Sequence, residues 1–154
     1  IKAAIAIIKE GDASVASFNM NESDIERFMR QEFVVTGSDG SAGHPRKYGT
    51  FPRKIRRYVL DRGVISLARM IEASSAQTAG IVGLAERGRV EAGFHADLIV
   101  FDSTTFAARS TYEQPELLAT GMRYVLVGGR VAVDAGRPTR VLAGRPLRRA
   151  MAAR

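Results

Sequence analysis

The sequence predicts an α/β segment followed by an antiparallel β segment, and three features lead to that class. Helix and strand patterns alternate with short connections from Ile1 to Thr36, the signature of a parallel α/β layer. A glycine-rich polar loop then interrupts the run Phe33 to Arg53 and feeds two helices in succession. From Gly80 onward glycines recur, and two β-prone runs flank Gly128-Gly129.

The elements follow in order. Ile1, Ala4, Ile5 and Ile8 fall at helical spacing, with Lys2 and Lys9 facing away and Gly11 ending the helix. Ser14 to Met20 is short and β-prone around Val15 and Phe18, which predicts an inner strand. Ser23 and Glu26 have capping-box spacing, and Ile25, Phe28 and Met29 form the expected buried stripe of the next helix. Phe33 to Thr36 reads as a buried strand that breaks at Gly37-Ser38-Asp39-Gly40. After the loop, Phe51, Ile55, Tyr58 and Val59 share one helix face, with Pro52 in the first turn and Gly63 at the end. Ser66 caps a further helix whose stripe is Leu67, Met70 and Ile71, running to about Thr78. Ala96 to Asp102 is a strand, and Tyr124–Val127 with Arg130–Val133 make a hairpin across Gly128-Gly129. The second half therefore reads as part of a small sandwich.

Composition bounds the function classes. Apolar residues at 45% with 25% charged are ordinary for a globular chain and argue against disorder. There is no cysteine, so neither a disulfide framework nor a thiolate metal site can form. His44 and His95 are the two histidines, too few for an imidazole cage. No apolar run approaches the ~20 residues of a membrane span. Ile1 is not an initiator Met and no leader pattern follows it, so a processed or truncated piece is expected, with a cytoplasmic location. The net charge of +7 is concentrated in Arg46 to Arg62 and Arg137 to Arg154. Such patches can grip phosphate backbones, but neither a nucleic-acid module nor interleaved aromatics accompany them, and no nucleic-acid partner is expected.

The chemistry concentrates after Phe33–Thr36. Asp39 sits at a strand end between Gly37, Ser38 and Gly40, where glycines permit a sharp turn and close ligand approach. A carboxylate there can ligate a metal or accept a proton from an activated water; it can equally be an Asx-turn residue. Arg46 can hold a carboxylate through two parallel hydrogen bonds, or lie at the surface. His44 can orient Asp39, ligate a metal or polarise a carbonyl, or pack within the loop. Ser38 and Tyr48 share the stretch as candidate substrate contacts. His95 and Asp97 read as structural residues entering a strand.

The run SDG, HPR and YGTFPR, followed by ADLIVFD and VLVGGRVAVDAG, resembles the C-terminal part of the N-acyl-D-amino-acid deacylases, metal-dependent amidohydrolases. The resemblance covers about Ser14 to Arg149; its first motif is specific to the D-aminoacylase-like group, and the later two are shared across many amidohydrolases. It implies a zinc-bearing (β/α)8 barrel with a small β-sandwich built from both chain ends. On that basis residues 1–79 are the last part of the barrel, 80–149 the sandwich, and 150–154 a frayed tail. Ser14–Met20 and Phe33–Thr36 correspond to barrel strands seven and eight. Asp39 corresponds to the aspartate that contacts the metal and shuttles the proton, and Arg46 to the arginine that clamps the substrate α-carboxylate.

The resemblance also sets a limit. The family's His-x-His pair, cysteine ligand and further histidines have no counterpart here, so this chain alone is expected to bind no zinc and turn over no substrate. Its partners would be a small N-acyl-D-amino acid and the rest of its own barrel, with self-association through open strand edges. Two rivals stand beside this reading. One is an amidohydrolase of cyclic amides, dihydropyrimidinase-like, against which HPR and YGTFPR argue. The other is a non-catalytic domain whose arginines grip acidic partners.

Overall fold

The computed structural model describes residues 1–11, 18–40 and 42–147. Five α-helical segments precede a four-stranded sheet: α1 (Lys2–Glu10), α2 (Glu22–Met29), α3 (Arg46–Lys54), α4 (Leu67–Ser74), α5 (Ala76–Val82), then β1 (Leu98–Phe101), β2 (Met122–Val127), β3 (Arg130–Asp134) and β4 (Arg137–Pro138). No described helix is long and apolar enough to cross a membrane.

The helical half departs from expectation in five places. Residues 14–17 of the first expected strand lie outside the described residues, and Phe18 to Met20 join no sheet. Phe33 to Thr36 is not a strand either. A strand requires a laddered neighbour, whereas the Thr36 N–H donates to Ala73 O, on a helix, at 3.1 Å. The cap of α2 is Asn21, whose Oδ1 accepts from Ser23 N at 2.9 Å, so the Ser23–Glu26 capping box is not formed. Of its expected stripe, Met29 is buried but Phe28 is 62% exposed. In α4, Ser66 caps as expected by accepting from Arg69 N, while Ile71 is exposed and the helix stops at Ser74. Ser75, at φ −134° and ψ −89°, breaks it before α5 begins.

The largest departure is α3, which starts at Arg46 rather than beside Phe51-Pro52. Pro45 forms its N-terminal boundary, and Gly49 N donates to Pro45 O at 2.8 Å. Pro52 is therefore inside the helix, where it has no N–H for the carbonyl one turn earlier. The helix continues as a wider π-helical stretch, Ile55–Asp61, and closes with Val64 N on Tyr58 O and Gly63 at φ +59°.

The β half matches its pattern closely. The strands are antiparallel in the order β1-β2-β3-β4. Val127 pairs with Arg130 across Gly128 and Gly129, whose φ of 54° and 79° are both positive, as a primed two-residue turn demands. Asp97 serves this turn: its Oδ1 accepts from Gly128 N at 2.7 Å while Arg87 pairs with its other oxygen. The described residues form this one sheet.

The core joins the halves. Ile55, Met70 and Phe106 are buried together, flanked by Val59, Ile65, Leu67, Phe101, Ala119 and Met122. Phe106 reaches its place because the chain turns at Asp102, whose Oδ1 accepts from both Thr104 N and Thr104 Oγ1. Gly121 lies directly against it: a Cβ there would sit 2.5 Å from Phe106 N and 2.6 Å from its Cα. Gly121→Ala is therefore expected to destabilise by about 3 kcal/mol through overpacking and a positive φ, measured by chemical denaturation. Gly80→Ala, in α5 with open space around it, should instead stabilise slightly.

Candidate functional site

The segment 31–40 is held by side chains from later elements. The Arg69 guanidinium on α4 donates to Glu32 O at 2.7 Å and Val34 O at 3.1 Å, and Gln77 Nε2 on α5 donates to Glu32 O at 2.6 Å. The carbonyls that follow α2 are thus capped from outside it. Thr36 is buried, and its hydroxyl accepts from Lys54 Nζ at 2.8 Å and lies 3.0 Å from Ser74 Oγ. From that anchor the chain runs outward through Gly37 to Gly40.

Four of the five expected site residues come together on this loop and the start of α3. Arg46 Nη2 and Asp39 Oδ2 are 2.6 Å apart, with the carboxylate 65% exposed, so the pair lies at the surface. Ser38 Oγ donates to Arg46 O at 3.0 Å and lies 3.1 Å from Thr50 Oγ1, which itself donates to Arg46 O at 2.8 Å. His44 Nδ1 accepts from Arg46 N at 3.0 Å. Ser38 and His44 both touch the Arg46 backbone, which fixes where its guanidinium starts. Tyr48 is set apart: it follows on α3 beneath Lys47 Nζ and lines an apolar groove of about 770 Å³ between the helices and the sheet. Asp39 does not line that groove. His95 is also remote, its backbone N–H donating to Glu86 O.

Residues of the β half reach the same loop, and nothing in the spacing of the chain points to them. Tyr112 packs edge-on against His44 with ring centroids 5.2 Å apart, and Ser110 Oγ donates to Pro45 O at 2.9 Å. Lys54 was equally hidden, being one of several cations on a helix whose start is not evident from the sequence.

Among the described residues no group of three or more His, Asp or Glu side chains converges as a metal cage. Asp39 is one carboxylate donor beside an arginine, which does not by itself amount to a metal site.

Against known proteins, residues 16–133 match the amidohydrolase family. The chain belongs to that family. It is 37% identical over 141 residues to an N-acyl-D-glutamate deacylase of Alcaligenes xylosoxydans xylosoxydans, covering 89% of this chain and 29% of that protein. It is similar in structure to a crystallised D-aminoacylase at 39% identity and a TM-score of 0.79, covering 84% of this chain and 28% of the other. A third likeness is the N-acyl-D-glutamate deacylase of Bordetella bronchiseptica, crystallised with zinc and a phosphonate mimic of the tetrahedral intermediate (34% identity, TM-score 0.70, covering 81% and 28%). This amidohydrolase chain thus spans under a third of the length of these relatives.

Two tests address the anchor. Thr36→Val removes the acceptor of a partly buried ammonium, and a loss of about 2 kcal/mol in denaturant unfolding is expected. Burial, with the Arg69 charge second, holds the Lys54 pKa below its ordinary value. Between the lowered folded value and the ordinary one the unfolded chain binds more protons, so stability rises with pH across that window. Urea midpoints should climb as pH is raised from neutral toward the ordinary lysine pKa, and Lys54→Met should flatten that climb.

Proposed function

We propose that this chain is the C-terminal portion of an amidohydrolase that hydrolyses N-acyl-D-amino acids to a D-amino acid and a carboxylate. The observation that carries the reading is the adjacency of Asp39 and Arg46. In an N-acyl amino acid the α-carboxylate and the scissile amide nitrogen are bonded to the same carbon. A carboxylate clamp and a proton-transfer group must then lie within a few ångströms of each other, as these two side chains do. With five N–H donors, the Arg46 guanidinium can face a substrate carboxylate while keeping Asp39 oriented.

In this reading Asp39 takes a proton from the attacking water and returns it to the departing amine, acting first as base and then as acid. Zinc would be held largely by donors outside these residues, with Asp39 as one oxygen donor, and would supply Lewis acidity there. Ser38 and His44 place Arg46 through its backbone, and Tyr48 contributes a wall. Residues 1–79 belong to a (β/α)8 barrel and 80–149 to a β-sandwich completed by other parts of the chain, with 150–154 a tail. Phe18, Phe33 and Val90 are 84%, 76% and 89% exposed, which supports surfaces awaiting the rest of such a protein. The 154 residues by themselves would hold no zinc and catalyse nothing. A cyclic-amide substrate is not favoured, because the named relatives are deacylases of N-acyl amino acids.

In the complete protein, Asp39→Asn is expected to lower kcat on N-acetyl-D-amino acids by roughly 10³-fold without lowering Tm. Arg46→Ala should raise KM by about 10- to 100-fold for substrates with a free α-carboxylate and leave carboxamide analogues unaffected. Full activity in the first variant, or equal effects on both substrate sets in the second, would remove the assignment.

A further inference from the structure

The connection between β1 and β2 is not a slack loop. Its base is closed by a bridge between Ala107 and Thr120, with Thr120 N donating to Ala107 O at 3.0 Å. Its tip is closed by Thr111 N on Gln114 O and Gln114 N on Thr111 Oγ1, at 3.1 and 3.0 Å. This excursion leaves the sheet and docks on the loop that carries Asp39 and Arg46, at two points.

The first point is backbone-close. Ser110 Oγ donates to Pro45 O at 2.9 Å, and Gly49 faces the same hydroxyl so nearly that a Cβ there would lie 2.5 Å from it. The second is Tyr112, whose ring stands edge-on to His44 at 5.2 Å and to Phe18 at 5.7 Å. Its hydroxyl is 3.3 Å from His44 Nε2. Because Arg46 N–H points at Nδ1, neutral His44 carries its hydrogen on Nε2, and that hydrogen faces the Tyr112 oxygen. Both ring nitrogens are therefore engaged, one by the Arg46 backbone and one by Tyr112. The residues run in a chain of contacts from the β half to the guanidinium.

We propose that the 107–120 excursion is a brace that sets the substrate-carboxylate clamp, with Tyr112 and Ser110 as positioning residues acting through His44 and Pro45 on Arg46. This rests on the proposed function for its kinetic consequence, but not for the brace itself. His44 then works as a link rather than as a base or a ligand. The Arg46 N–H sets the tautomer of the ring and Tyr112 its orientation, so binding of the α-carboxylate suffers when Tyr112 is lost.

The test has two independent arms. In the 154-residue chain, NMR hydrogen exchange should find the Arg46 amide, which donates to His44 Nδ1, protected, and Tyr112→Ala should release the His44 ring and speed that exchange, while Tyr112→Phe keeps the ring contact and changes it less. In the complete protein, Tyr112→Ala should raise KM for N-acetyl-D-amino acids by about tenfold, the scale of one net hydrogen bond, with kcat within about twofold. Ser110→Ala, which removes one oxygen and opens no cavity of consequence, should shift KM the same way by about threefold. Unchanged exchange at the Arg46 amide in Tyr112→Ala would overturn the brace whatever the enzyme assay shows. So would a fall in kcat at constant KM in both variants. If the complete protein hydrolyses no N-acyl-D-amino acid, the substrate assignment falls while the exchange arm still decides the brace.

Discussion

The position of the candidate site depends on one buried hydroxyl. Thr36 receives the Lys54 ammonium at 2.8 Å and sits beside Ser74, with its own N–H on Ala73 O. Leaving any of these groups buried without a partner would cost more than the bonds return, so the cluster fixes where the segment 31–36 ends relative to α3 and α4. Asp39 follows three residues later. The segment lacks a ladder, and Arg69 and Gln77 take the place of neighbouring strands by capping its carbonyls. A charged donor on α4 and an amide on α5 thus hold in place a piece of chain that would otherwise require a sheet.

The arginine excess acquires a role in the same way. Within the cluster from Arg46 to Arg62, Arg46 meets Asp39, Arg57 meets Glu22 at 3.2 Å, Arg62 Nε meets Glu26 Oε1 at 2.7 Å, and Arg56 meets both Asp61 and Thr104 O. Exposed pairs of this kind contribute little each, about 0–1 kcal/mol. Their value is directional: they tie α2 and the 102–106 turn to the long α3 helix and its π-helical continuation.

What was legible in the sequence divides along a physical line. The β half follows from local rules, since Gly128-Gly129 demands a primed turn between two β-prone runs. Ser66 as a cap is equally local. The site loop was legible as a set of residue types at one strand-like end, and Ser38, Asp39, His44 and Arg46 do lie together. The start of α3 was not legible, because Gly49 and Pro52 both argue against a helix by propensity. Tertiary packing overrides them: Gly49 is required by Ser110 and Ala108 pressing on its face, a contact from about 60 residues away. Tyr112 was hidden for the same reason. The β-prone run Phe33–Thr36 forms no strand, since such a run needs neighbours that local pattern does not guarantee.

The two halves are bound by unequal means, and the inequality bears on function. The apolar connection is small, centred on Ile55, Met70 and Phe106, and beside it lies the open groove lined by Phe51, Leu98 and Phe101. Polar contacts from Ser110 to Pro45, from Tyr112 to His44 and from Arg56 to Thr104 add to the join, and all three fall near α3 or its π-helical continuation. A surface joined chiefly by apolar area is non-directional and tolerates sliding, whereas one pinned by hydrogen bonds holds a register. Two of the pins, at Ser110 and Tyr112, hold the loop that runs from Asp39 to Arg46, and Asp39 does not line the groove. Precision has been placed on the side of the molecule that carries the charged pair.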